Sequence, residues 1–138
     1  MNESRSSEIA MAINSVSHIT VFVDDQQTAC DWYVDKLGFA VVMDNRDVVP
    51  NLRWLTVAPE GNPDTQIVLQ LAHSNDEKLR VGSNLMTVLR SDDCEFDMKA
   101  LEEQGVEIVD PPQEVPWGIS GIIRDLYGNP YNLVGPKQ

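Results

Sequence analysis

The stretch ITVFVDDQQTACDWYVDKLGFAVV, Ile19–Val42, decides the fold because the chain repeats it. Laid over itself without a gap at a shift of 67 residues (20 to 87), it falls on MTVLRSDDCEFDMKALEEQGVEIV, Met86–Val109. Thr20 then meets Thr87, Val21 meets Val88, Asp25 meets Asp92, Gly38 meets Gly105 and Val42 meets Val109. Each copy reads as an alternating strand, an acidic turn, an amphipathic helix, a glycine stop and a second strand. Two copies of one supersecondary unit enclose a cleft between them, and the cleft is where function is expected.

Working outward, Ser17–Val23 alternates, with Ile19, Val21 and Val23 on an aliphatic face that should pack on a helix. His18, Thr20 and Phe22 occupy the other face, free to line the cleft. Ala29, Trp32, Tyr33 and Leu37 recur at helical spacing over 26–37, and Phe39–Met43 resumes as a strand. Arg53–Ala58 and Gln66–Ala72 read as two further strands around the turn residues 59–64. After a polar linker, His73–Ser83, the pattern restarts at Asn84–Arg90. A second helix follows, burying Cys94, Met98 and Leu101. Val106–Val109 is a strand that Pro111-Pro112 should break, and Ile119–Arg124 and Tyr131–Val134 complete the half. The expected fold class is α+β: two tandem β-α-β-β-β modules, eight strands and two helices, forming a curved mixed sheet around a cleft.

With 138 residues the chain holds one domain, so the repeats are halves of it, about 15–72 and 84–136 of a unit over 14–138. Residues 1–13 read as a flexible tail, with Met11 a second place where translation could start. No apolar run is long enough to span a bilayer and the first residues carry no leader pattern, so a cytoplasmic protein with no membrane partner is expected. The net charge of −12 argues against nucleic acid, whose phosphates need clustered Lys and Arg. Such acidity serves solubility, or draws in a cationic ligand. Cys30 and Cys94 form no CxxC pair and read as small apolar helix residues. Asp24, Asp25, Asp92 and Asp93 stand where strand passes to helix, which suits capping better than metal binding. His73 reads as solvent-exposed.

HITVFVDD, DWYVDKLGF, RWLTVAPEG, LEEQGVEIVDPP and RDLYGNPYNLVGP together resemble the glyoxalase/bleomycin resistance/extradiol dioxygenase group, the vicinal oxygen chelate superfamily. The resemblance covers roughly 15–136. It implies a homodimer with clefts shared between subunits, and a choice among isomerases, dioxygenases, antibiotic-inactivating transferases and non-catalytic drug-binding proteins. In metal-using members, four inward positions supply His or Glu to a divalent ion. Carried over here, the first falls on His18. The I-E-L position is Val68, within Ile67-Val68-Leu69. The position on the first strand of the second half is Met86, and the glutamate of G-N-x-x-E-L is Asn132. Gln66 and Gln70 offer only amide oxygens. One strong ligand in four leaves no cofactor expected, with a weakly held divalent metal as the alternative.

The cleft lining expected instead is His18, Thr20, Phe22, Val68 and Gln70 from the first half, with Met86, Val88, Arg90 and Asn132 from the second. Trp54 and Trp117 offer aromatic faces to a flat or cationic ligand, Trp54 also being suited to fill core. His18 is either a relic that hydrogen-bonds in the cleft or a group that contacts ligand. The leading expectation is a metal-free small-molecule binder resembling the drug-sequestering members that confer antibiotic resistance. The alternative is a divergent glyoxalase-, lyase- or dioxygenase-like enzyme using His18 with Gln70 and Asn132, either around a weakly held ion or by metal-free acid/base chemistry. A third is a sensor that passes ligand occupancy to another protein.

Overall fold

The computed structural model describes residues 11–47 and 50–137, so most of the expected 1–13 tail lies outside the described residues. In chain order the elements are β1 (His18–Val23), α1 (Gln26–Leu37), β2 (Phe39–Asn45), β3 (Trp54–Pro59), β4 (Gln66–Leu71), α2 (Asn75–Leu79), β5 (Thr87–Arg90), α3 (Cys94–Glu103), β6 (Glu107–Val115), β7 (Gly118–Arg124) and β8 (Pro130–Gly135). Two four-stranded sheets result, ordered β1-β4-β3-β2 and β5-β8-β7-β6. In each, the strand that opens the half runs parallel to the strand that closes it, and the remaining pairs are antiparallel. The two tandem β-α-β-β-β modules are therefore as the repeat implies.

Local chemistry sets the helix ends. Asp25 caps α1 by accepting from the Thr28 N–H at 2.8 Å, and Gly38, at φ 71°, ends it in the left-handed conformation. Asp93 caps α3 in the same way, accepting from the Phe96 N–H at 3.1 Å. These caps correct the repeat register. They stand 68 residues apart (25 to 93), whereas Gly38 and Gly105 stand 67 apart, so one residue is lost within the second helix. Burial agrees. An ungapped match puts Val88 in the place of Val21, yet Val21 is 1% exposed and Val88 63%. A one-residue slip exchanges the two faces of a strand, so Leu89 takes the place of Val21, Val88 that of Thr20 and Met86 that of His18.

Two further expectations are corrected. The linker holds a third helix, α2, where Ser74 accepts from the Glu77 N–H and the Glu77 carboxylate accepts from the His73 N–H, much as in a capping box. Pro111 and Pro112 do not end β6. It continues to Val115, and the register shifts between Asp110 and Gln113. It can do so because β6 is an edge strand, where a missing N–H and a bulge are tolerated.

One core runs through both halves, from Val21, Val23, Tyr33 and Leu55 to Met98, Ile123, Tyr131 and Leu133. Cys30 and Cys94 are free and buried within it. The halves are also joined by polar groups. The Tyr33 hydroxyl donates to Asp125 Oδ2 at 2.6 Å and lies 2.7 Å from the Tyr131 hydroxyl. Asp125 also accepts from the backbone N–H groups of Tyr127 and Asn129 and from Asn129 Nδ2, so its buried carboxylate is well supplied with donors. Lys36 Nζ donates to the Gln104 carbonyl, and Asn84 Nδ2 to the Thr20 carbonyl, each at 3.0 Å. Among the described residues no helix is long and apolar enough to cross a membrane.

Candidate functional site

With Val21 and Val23 in the core, the alternation of β1 turns His18, Thr20 and Phe22 to the opposite face of the first sheet. Register carries that face onward. His18 lies beside Gln66, Thr20 beside Val68 and Phe22 beside Gln70, while Thr56 of β3 lies beside Val68. Thr56 donates its hydroxyl to Gln66 Oε1 at 2.7 Å, so Gln66 is committed. Val68 is buried beneath its neighbours and offers almost no surface. Trp54 shares the face and is 37% exposed. Its ring meets that of His18 with centroids 5.6 Å apart and planes tilted by 58°. His18 Nδ1 lies 2.9 Å from Ser17 Oγ, which leaves Nε2 as the outward nitrogen.

An ion pair stands beside Trp54 in the chain, with its side chains turned towards α1. Arg53 Nε and Nη2 donate to the two carboxylate oxygens of Asp44, each at 2.9 Å, and Nη2 also donates to Gln27 Oε1. This fork clamps β3 to β2 one residue before Trp54, and it holds the Asp44 carboxyl below the ordinary carboxylate range.

The second sheet presents Val88, Arg90 and Asn132, with Val88 directly beside Asn132. Asn132 Nδ2 donates to Ser120 Oγ and to the Gly121 carbonyl, both at 2.8 Å, leaving Oδ1 as the free acceptor. Met86 precedes β5 and is half-exposed. Trp117, between β6 and β7, is 70% exposed, which rules out a core role. The expected lining residues therefore fall into two groups, one on each sheet. Among the described residues no hydrogen bond or ring contact joins the groups directly; the nearest tie is Asn84 to Thr20.

The four positions that hold a metal in related folds are thus an imidazole, an isopropyl group, a thioether and an amide. Val68 has no lone pair, and the Asn132 amide is anchored through its nitrogen. Among the described residues no three His, Cys, Asp or Glu side chains gather into a metal-binding group. This donor set does not fit a divalent ion. His73 is exposed, as expected, and the thiols of Cys30 and Cys94 are pushed up in pKa by burial, which suits inert packing.

Two adjoining cavities lie where the halves meet. One, of about 410 Å³, opens between the C-terminal ends of α1 and α3, against Leu37, Leu101 and Leu133. The other, of about 610 Å³, runs along β5 against Ile19, Ile67 and Thr65. They share Phe39, Pro59, Leu89 and Arg90. Of the expected lining residues, Arg90 touches both and Val88 the larger. Sequence reasoning did not anticipate these cavities, because their walls come from many separate segments.

Comparison with known proteins agrees with this architecture. The family model for the Glyoxalase/Bleomycin resistance protein/Dioxygenase superfamily matches residues 15–133. TnmS3, an antibiotic binding protein from Streptomyces sp. CB03234, is 38% identical, with 92% of this chain and 99% of that one covered at a TM-score of 0.78. A superfamily member from Sphaerobacter thermophilus DSM 20745 is 35% identical, covering 91% and 99% at 0.78. An uncharacterized protein of Shewanella frigidimarina (strain NCIMB 400) is 31% identical over 124 residues, 87% of this chain and 92% of its own length.

Proposed function

Since the chain belongs to the glyoxalase/bleomycin resistance/dioxygenase superfamily, we propose that it binds a flat aromatic or cationic small molecule on its open sheet faces without the superfamily's catalytic metal. In this reading it sequesters a drug-like compound, in the manner of an antibiotic binder. The observation that carries the reading is the replacement of three ligand positions by Val68, Met86 and Asn132, while the remaining His18 packs against a half-open indole. An apolar surface with a few amides and one imidazole is what small-molecule recognition uses. The 38% identity to an antibiotic binding protein supports the same reading.

We further propose a homodimer. Trp54, Met86, Val88 and Met43 are large apolar side chains exposed in the single chain, and a second copy would cover them while closing a cleft between its sheet and this one.

The test is titration with metal-free bleomycin and with planar cationic dyes such as proflavine, in EDTA, followed by Trp fluorescence and thermal shift. Saturable binding in EDTA that Trp54→Ala weakens supports the proposal. Binding that requires added divalent metal, or turnover lost on His18→Ala, contradicts it.

A further inference from the structure

Arg90 is placed unlike the chain's other described arginines. Arg46 and Arg53 pair with Asp44, Arg80 with Asp76 and Arg124 with Glu107. Among the described residues Arg90 has no ion pair, in a chain with 22 acidic and 10 basic residues. It also lines both cavities between the halves, which share Phe39, Pro59 and Leu89 as well. A guanidinium without an ion pair, where a mainly apolar cavity meets a mixed polar and apolar one, is poised for a carboxylate, which it can grip with two parallel N–H donors.

The surrounding charges narrow the ligand. Asp97, in the wall of the smaller cavity, accepts from Ser91 Oγ at 2.7 Å and makes no ion pair with Arg90, and Lys36 in the same wall donates to the Gln104 carbonyl. Asp35 and Asp97 line only the smaller cavity, and Asp64 only the larger. These carboxylates oppose a ligand with several negative charges and leave room for one, at the junction. The rest of the ligand would lie along Leu89 and Phe39 towards Leu101 and Leu133. Volumes of about 410 and 610 Å³ are within the roughly 300–1,000 Å³ of small-molecule pockets.

We infer that the cavities between the halves form a second binding site, separate from the face carrying His18 and Trp54, for an apolar monocarboxylic acid anchored by Arg90. The test compares 4-phenylbutanoate and indole-3-acetate with their primary amides, by calorimetric titration of the full chain. The acids should bind saturably and the amides about tenfold more weakly or worse. Arg90→Gln should erase that difference, and Ala100→Phe, which thickens a wall of the smaller cavity, should weaken acid binding. Equal affinity for acid and amide, absence of acid binding, Arg90→Gln binding the acids as the parent does, or acid binding untouched by Ala100→Phe would each overturn the inference. Circular dichroism establishes that each variant is folded. Should Ala100→Phe fail to fold, the acid and amide pair on the parent chain still decides.

Discussion

The His18 imidazole and the Trp54 indole, from strands separated by β4, meet with ring centroids 5.6 Å apart. A metal-ligand histidine needs its outward nitrogen directed at an ion and its ring oriented by a partner that fixes the tautomer. His18 meets both needs, with Ser17 Oγ 2.9 Å from Nδ1 and Nε2 outward, so the metal set fails at Val68, Met86 and Asn132 and not at this histidine. In the proposed site the His18–Trp54 pair forms one aromatic wall.

Replacing Trp54 with alanine should weaken binding of a planar cationic ligand about tenfold, since a stacked aromatic contributes about 0.5–1.5 kcal/mol beyond its area. His18→Ala should have a smaller effect in the same direction. Fluorescence-independent titration, by calorimetry, checks both.

Tyr33 joins the halves through Asp125 and Tyr131, and its removal leaves buried acceptors short of a donor. Tyr33→Phe should destabilise the fold by about 1–3 kcal/mol. Urea denaturation measures this directly, and an unchanged midpoint would argue against the clamp.

Gly82, at φ 80°, lies against the backbone of Tyr127, and an added Cβ would collide with the Tyr127 carbonyl oxygen. Backbone there cannot yield as a flexible side chain does. Gly82→Ala should lower stability by about 1–3 kcal/mol or more, again read from the denaturation midpoint.

Stability should fall at both ends of the pH scale. The Thr28 N–H holds the Asp25 carboxyl below its ordinary value, and the Arg53 fork does the same for Asp44. Folded pKa values below unfolded ones give stability that is present above about pH 4 and lost as pH falls through the lowered values. Burial raises the Tyr33 and Tyr131 hydroxyls instead. Their contribution is complete below about pH 10 and declines as pH rises past it. Melting temperatures across the range should form a plateau with an acid and an alkaline limb, and Tyr33→Phe should flatten the alkaline one.

Much of this architecture was legible before any coordinates. The alternation around Val21 and Val23 and the stop at Gly38 act within a few residues, so sequence exposes them. The repeat register was legible only in part: Met86 was set in the place of His18, as the caps require, but the ungapped match hid the residue lost in the second helix. Chance identities such as Val21 with Val88 rewarded the ungapped match, and only the caps at Asp25 and Asp93 locate the lost residue. The passage of β6 through Pro111 and Pro112 depends on its being an edge strand, which is a tertiary fact. By contrast, the short helix at Asn75–Leu79 was signalled by Ser74 and Glu77 at capping-box spacing. For the site, the face residues followed from alternation, whereas the cavities at Arg90 did not. Their walls meet only because the halves dock.

Metal-free binding requires that the four superfamily ligand positions fail as a metal site. Elemental mass spectrometry of the protein, incubated with excess Mn, Fe, Ni and Zn and then desalted, tests this most directly. With one imidazole against Val68, Met86 and Asn132, less than about a tenth of an ion per chain should remain. About one ion per chain, lost in His18→Ala, would contradict the account.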